Sequence, residues 1–148
     1  MKRCLTAITA FAALLTVSVY AADVKLDGVK CPVSGKAVKD DKTVDYKGAK
    51  VYFCCENCPK AFDKDKTKYA TKANMQLVQT KQAKQEKCPI AGKDLNKDTA
   101  TKVGDVEVSF CCNNCKGKVT KATDEEKLDL VFGEKAFEKG FKVTEKKK

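Results

Sequence analysis

The stretch "YFCCENC" (52–58) places three cysteines within five positions, two of them adjacent. "SFCCNNC" (109–115) does almost the same. Working outward, "KCPVSGK" (30–36) precedes the first run and "KCPIAGK" (87–93) precedes the second. Cys31, Cys54, Cys55 and Cys58 thus recur as Cys88, Cys111, Cys112 and Cys115, each displaced by 57 positions. A Cys-Pro, a glycine and a phenylalanine share that offset, which marks a tandem duplication of one unit.

Each unit has the same local order. A knuckle, Cys-Pro-x-x-Gly-Lys, comes first, with Gly35 or Gly92 free to take the positive φ of a tight turn. Two β-prone runs follow around Gly48 or Gly104, and Val106, Val108 and Phe110 alternate with polar neighbours at the period of a half-buried strand. A hairpin is expected in each unit. The double cysteine then opens a helix, expected from Asn57 through "PKAFDKDKTKYATK", with Phe62 and Tyr69 on one face. In unit two, Thr123 and Glu126 form a capping box before Leu128, Val131 and Phe132, and Gly133 ends the helix.

The N-terminus reads as a secretory signal peptide: Lys2 and Arg3, an apolar run from Leu5 to Val19, and a small residue at Ala21, after which cleavage is expected. The apolar run is shorter than the roughly 20 residues a membrane span needs. The chain accordingly divides into a signal peptide (1–21), a first module (22–72), a connector (73–86), a second module (87–133) and a basic C-terminal tail (134–148). The connector, polar apart from Met75, Leu77 and Val78, is expected to pack lightly on the first unit, and the lysine-rich tail to be mobile. The expected location is the periplasm or the exterior, with no membrane span after cleavage.

Composition excludes much chemistry. The 148 residues include nine cysteines, no histidine and no tryptophan. Histidine-dependent nucleophiles, His-ligated zinc and CxxCH haem attachment are ruled out. Net charge is +10, falling to +8 once Lys2 and Arg3 leave with the signal. Arg3 is the only arginine, so bidentate phosphate or guanine contacts are unavailable to the mature chain, and no nucleic-acid partner is expected. No acid/base constellation stands out, and no enzymatic activity is expected.

A unit of about 40 residues rarely folds without a staple. One candidate staple is a zinc ion per unit held by thiolates, with the helix N-terminus favouring anionic sulfur. Another is two disulfides per unit, which export favours. A third reading, thiol-redox chemistry, rests on Cys55-x-x-Cys58 and Cys112-x-x-Cys115. Adjacent cysteines such as Cys54 and Cys55 are poorly suited to bond each other, and the two-part spacing suits a metal better.

"CPVSGKAV", "YKGAKVYFCCENC" and the stretch from Phe62 to Tyr69 together resemble the YHS/TRASH-type metal-binding domain, a small treble-clef-like zinc finger. "CPIAGKDL" and "FCCNNC" match in unit two, where Val119 replaces Phe62. The resemblance implies a small α+β fold of two tandem treble-clef-like modules, each a knuckle, a β-hairpin and a helix. It also implies roles in metal sensing, trafficking or resistance. Its ligands map onto Cys31, Cys54 and Cys58, and onto Cys88, Cys111 and Cys115. Related knuckles carry a further cysteine where this chain has Ser34 and Ala91, so Cys55 and Cys112 are expected to supply a fourth thiolate. The expected cofactors are two Zn²⁺ ions, one per module, with Cu⁺ or another soft metal as the alternative. A purely structural metal would imply an interaction module with a protein partner. Four thiolates would leave no open position for a catalytic water.

Overall fold

A computed structural model describes residues 24–144. The signal-peptide assignment lies outside the described residues. Module one begins with a knuckle in which Cys31 N–H donates to the Lys36 carbonyl (2.7 Å) and Gly35 N–H to the Cys31 carbonyl (2.8 Å). The hairpin of β1 (Lys39–Tyr46) and β2 (Ala49–Phe53) follows. Lys47 and Gly48 join the strands with φ of 52° and 80°, the paired left-handed conformation of a type I′ turn. Then come α1 (Asn57–Lys64), α2 (Lys66–Gln79) and the short strand β3 (Ala83–Gln85).

Module two repeats this plan. Cys88 N–H donates to the Lys93 carbonyl (2.9 Å) and Gly92 N–H to the Cys88 carbonyl (2.7 Å). The hairpin of β4 (Asn96–Val103) and β5 (Val106–Phe110) leads into α3 (Asn113–Thr120), α4 (Asp124–Phe132), α5 (Glu134–Gly140) and β6 (Phe141–Val143). Both hairpins shift register at the same repeat position, where Lys39 faces Phe53 and Asn96 faces Phe110. The capping box at Thr123 forms as expected, and Gly133 closes α4. The α+β architecture of two knuckle–hairpin–helix modules is therefore the one expected.

Three local expectations need correction. The single helix expected from Asn57 is broken at Asp65, whose backbone is extended (φ −146°, ψ 76°) and whose carboxylate accepts from Lys68 N–H (3.1 Å). An aspartate that caps a new helix start competes with continuation of the old one. Phe62 and Tyr69 still meet across the break, with ring centroids 6.5 Å apart.

The segment 73–86 does not pack lightly on unit one. It holds the second half of α2 and all of β3, and Ala73, Asn74, Gln76 and Leu77 are fully buried. It also reaches module two: Asn74 donates to the Phe132 carbonyl (2.9 Å), and Met75 packs against Gly104, where an added Cβ would lie 3.0 Å from the Met75 sulfur.

Residues 134–143 of the tail form α5 and β6 rather than a mobile segment. Phe137 and Phe141, four apart, are buried and stacked at 5.3 Å, and Phe141 also meets Phe132 at 5.6 Å. Strand β6 pairs antiparallel with β3, Lys84 opposite Lys142. These two lysines are 58 positions apart, the repeat offset with one residue added. The flanking bonds obey the same rule: Thr144 N–H donates to the Gln82 carbonyl and Glu86 N–H to the Gly140 carbonyl, both at 2.9 Å. Like any antiparallel ladder, the pair has a local twofold, and here that twofold relates Lys84 and Lys142, 58 apart, one position off the 57-residue repeat. Gly140 is required by close approach, since a Cβ there would sit 2.9 Å from Pro89 Cα.

The buried side chains of both modules, Phe53 and Phe62 with Phe110, Val119, Phe132 and Phe137, belong to one continuous core. The premise that each 40-residue unit must be stapled alone does not hold, because the two share their apolar interior. Phe137→Ala is expected to cost about 3–5 kcal/mol, as for a buried phenylalanine, whereas in a mobile tail it would cost nothing. The urea midpoint of the full chain measures the difference.

Candidate metal centre

Each module brings three sulfurs together from two separate segments. Cys31 comes from the knuckle; Cys54 follows the end of β2, and Cys58 sits in the first turn of α1. Their sulfurs all lie within 4.8 Å of one another, and so do those of Cys88, Cys111 and Cys115 in module two. Cys54 and Cys58 sulfurs are 3.6 Å apart, as are those of Cys111 and Cys115. Tetrahedral ligands at a Zn–S distance of about 2.3 Å would be about 3.8 Å apart, so the spacing fits a shared ion. A disulfide would require about 2.05 Å, and three mutually adjacent sulfurs cannot all pair.

Cys55 and Cys112 lie outside these triads but beside them. Both are exposed. The Cys55 sulfur is 3.4 Å from that of Cys58, and the Cys112 sulfur is 3.7 Å from that of Cys111. At the knuckle, the Ser34 hydroxyl is 3.1 Å from the Cys54 sulfur. Ser34 therefore brings a polar oxygen to the edge of the first centre. Ala91 offers none at the second.

Electrostatics differ along each triad. Burial opposes ionisation of Cys31, but hydrogen bonds from the Ser34 hydroxyl and from the N–H groups of Ser34, Cys54 and Val33 outweigh it, lowering the pKa to about 7. For Cys88, burial is likewise outweighed, by the N–H groups of Ala91, Cys111 and Ile90, and its pKa falls. Burial, reinforced by neighbouring sulfurs, raises Cys58 far above the usual thiol range and pushes Cys115 up to about 12. The helix N-terminus was expected to favour thiolate at the ligands in that turn. The cysteine just before each helix is lowered instead: Cys55 first by the Cys58 side chain and then by the N–H groups of Asn57 and Cys58, and Cys112 first by Cys115 N–H. The knuckle N–H groups thus favour one thiolate per site, while the buried helix thiol must lose its proton to bind a cation.

The donor set is soft: thiol sulfur, no imidazole, and a single nearby hydroxyl in module one. It suits zinc, copper(I) or a similar thiophilic ion and does not suit calcium or magnesium. Sequence reasoning named all six triad cysteines. It missed the bonds that hold the triads in place, which come from the segment between the modules.

No helix among the described residues is long and apolar enough to cross a membrane. No curated protein and no solved structure matches the chain. One family model does match, that of the YHS domain, over residues 29–73. That interval contains the first knuckle, its hairpin and α1, and ends within α2. Residues 29–73 are thus similar to the YHS domain, and the second cysteine group, Cys88, Cys111 and Cys115, marks a second module built on the same plan.

Proposed function

We propose that this protein is an exported, non-catalytic binder of two thiophilic metal ions, zinc in the simplest case, one per module. The observation that carries the reading is the convergence of three sulfurs in each module, at ligand spacing, from a knuckle and a hairpin–helix junction. Cys55 and Cys112 complete each centre as a fourth thiolate, swinging in from the solvent side. Export rests on the signal-peptide pattern of residues 1–21.

The shared core favours metal as cargo over metal as scaffold. A domain of about 120 residues buries far more of its surface than a 40-residue unit does. The aromatic contacts of Phe53 with Phe62 and of Phe132 with Phe141 lie in that core. A protein that keeps its fold while its metal exchanges is suited to buffering or delivering a soft ion.

Mass spectra of the mature chain, native and denaturing, test the reading. Two metal ions on eight thiols are expected; a mass lower by eight hydrogens with no metal would establish four disulfides instead. Chelation is expected to leave the far-ultraviolet circular dichroism of the chain largely intact, and loss of the helical signal would return the metal to a scaffold role. Cys55→Ser is expected to weaken the first site only, and unchanged metal content and affinity would remove Cys55 from the ligand set. Ser34→Cys, which puts sulfur where the hydroxyl already approaches Cys54, is expected to tighten the first site by about tenfold, or about 1.4 kcal/mol. Competition against a chromogenic chelator measures both variants.

A further inference from the structure

We propose that Gln76 and Gln85 are paired positioning residues, each fixing the geometry of one metal centre from behind. The inference rests on the metal-binding reading above and concerns how the chain holds its ligands. Gln76 is fully buried on α2. Its Oε1 accepts from Tyr52 N–H (2.7 Å), while its Nε2 donates to the carbonyls of Tyr52 (2.9 Å) and Lys30 (3.1 Å). Gln85, on β3, makes the same three bonds in module two. Its Oε1 accepts from Ser109 N–H (3.0 Å), and its Nε2 donates to the carbonyls of Ser109 (2.7 Å) and Lys87 (3.3 Å).

Tyr52 and Ser109 are repeat-mates, and so are Lys30 and Lys87. Each amide therefore grips the same two backbone points. Lys30 and Lys87 immediately precede the knuckle cysteines, and Tyr52 and Ser109 lie two residues before Cys54 and Cys111. One side chain thus ties together the two segments that must converge on an ion. Only a primary amide can do this, because it carries an acceptor and two donors in one plane, as a neighbouring strand would.

The glutamines are not themselves repeat-mates. At the 57-residue offset Gln76 corresponds to Gly133, and Gln85 to Gly28. The first follows its hairpin and the second precedes its own. Duplication did not copy this clamp; two different positions of one segment arrive at the same bonds.

Gln82 supplies an internal control. It pairs with Lys50 N–H (2.9 Å) and the Lys50 carbonyl (2.7 Å), capping the same strand edge, and bonds to no knuckle residue. Edge capping alone predicts similar effects for all three residues. Positioning predicts effects at the metal for Gln76 and Gln85 only.

The test uses the full mature chain loaded with cobalt(II), whose release to excess EDTA is followed by loss of the thiolate charge-transfer band. Alkylation and peptide mapping identify the emptied site. Gln76→Met and Gln85→Met keep side-chain bulk and remove the polar atoms. Q76M is expected to release the first-site ion on the order of tenfold faster with the second unchanged, Q85M the reverse, and Q82M neither. Hydrogen exchange gives a metal-independent readout: Tyr52 N–H loses protection in Q76M alone and Ser109 N–H in Q85M alone. Gln85 is only partly buried, so Q85M carries the test should Q76M fail to fold. Wild-type release rates in both variants, or equal acceleration in Q82M, overturn the inference while leaving metal binding intact. A wild-type chain that takes up no cobalt overturns the metal-binding reading and this inference with it.

Discussion

The short ladder between β3 and β6 is the constraint on which the remaining architecture depends. Three-residue strands are too short to be stable alone. This pair persists because its alternation matches burial: Ala83 and Phe141 face the core while Lys84 and Lys142 face water. Pairing β3 with β6 ties together the segments that follow the helices of each module. That pairing brings the C-terminal segment against the second knuckle, where the Gly140 carbonyl accepts from both Glu86 and Lys87 N–H. It also seats Phe137 and Phe141 in the shared interior. With the ladder removed, each module would expose one apolar face, and the small-domain argument for an obligatory staple would regain its force.

Most of each module was legible in the sequence because its signals are local. Period-two alternation in "VEVSF", the Lys-Gly turn, the Cys-Pro-x-x-Gly knuckle and the Thr123 capping box each encode geometry within a few residues. The cysteine repeat then joins knuckle to hairpin without any structural information. The segment 73–86 defeated the same method for a physical reason. Its polar residues look solvent-facing, yet Asn74, Gln76, Thr80 and Gln82 are buried and hydrogen-bonded to backbone. Composition cannot distinguish an amide that faces water from one that replaces a missing strand. The tail failed differently. Its lysines concealed Phe137 and Phe141, whose spacing only becomes meaningful once a core is present to receive them.

At the site, the six triad cysteines were readable and the supporting bonds were not. Thiol spacing is a property of the repeat, whereas the partners of Lys30, Tyr52, Lys87 and Ser109 come from elsewhere in the chain. The ionisation pattern also depends on the fold. From sequence, the helix N-terminus was the expected source of thiolate stabilisation at the ligands. In the structure the knuckle groups outweigh burial and lower Cys31 and Cys88, while burial and neighbouring sulfurs raise Cys58 and Cys115.

Duplication has preserved the three-sulfur arrangement while letting the fourth position diverge. Module one has a hydroxyl at Ser34 beside Cys54, and its extra thiol, Cys55, approaches Cys58. Module two has a methyl group at Ala91, and its extra thiol, Cys112, approaches Cys111. Three sulfurs set by a knuckle and a helix turn define where an ion sits. On the proposed reading, the fourth ligand is drawn from an exposed side chain and is the one that governs how readily the ion leaves. On that reading the shared core carries the fold, and variation at the fourth position alters exchange without endangering the domain.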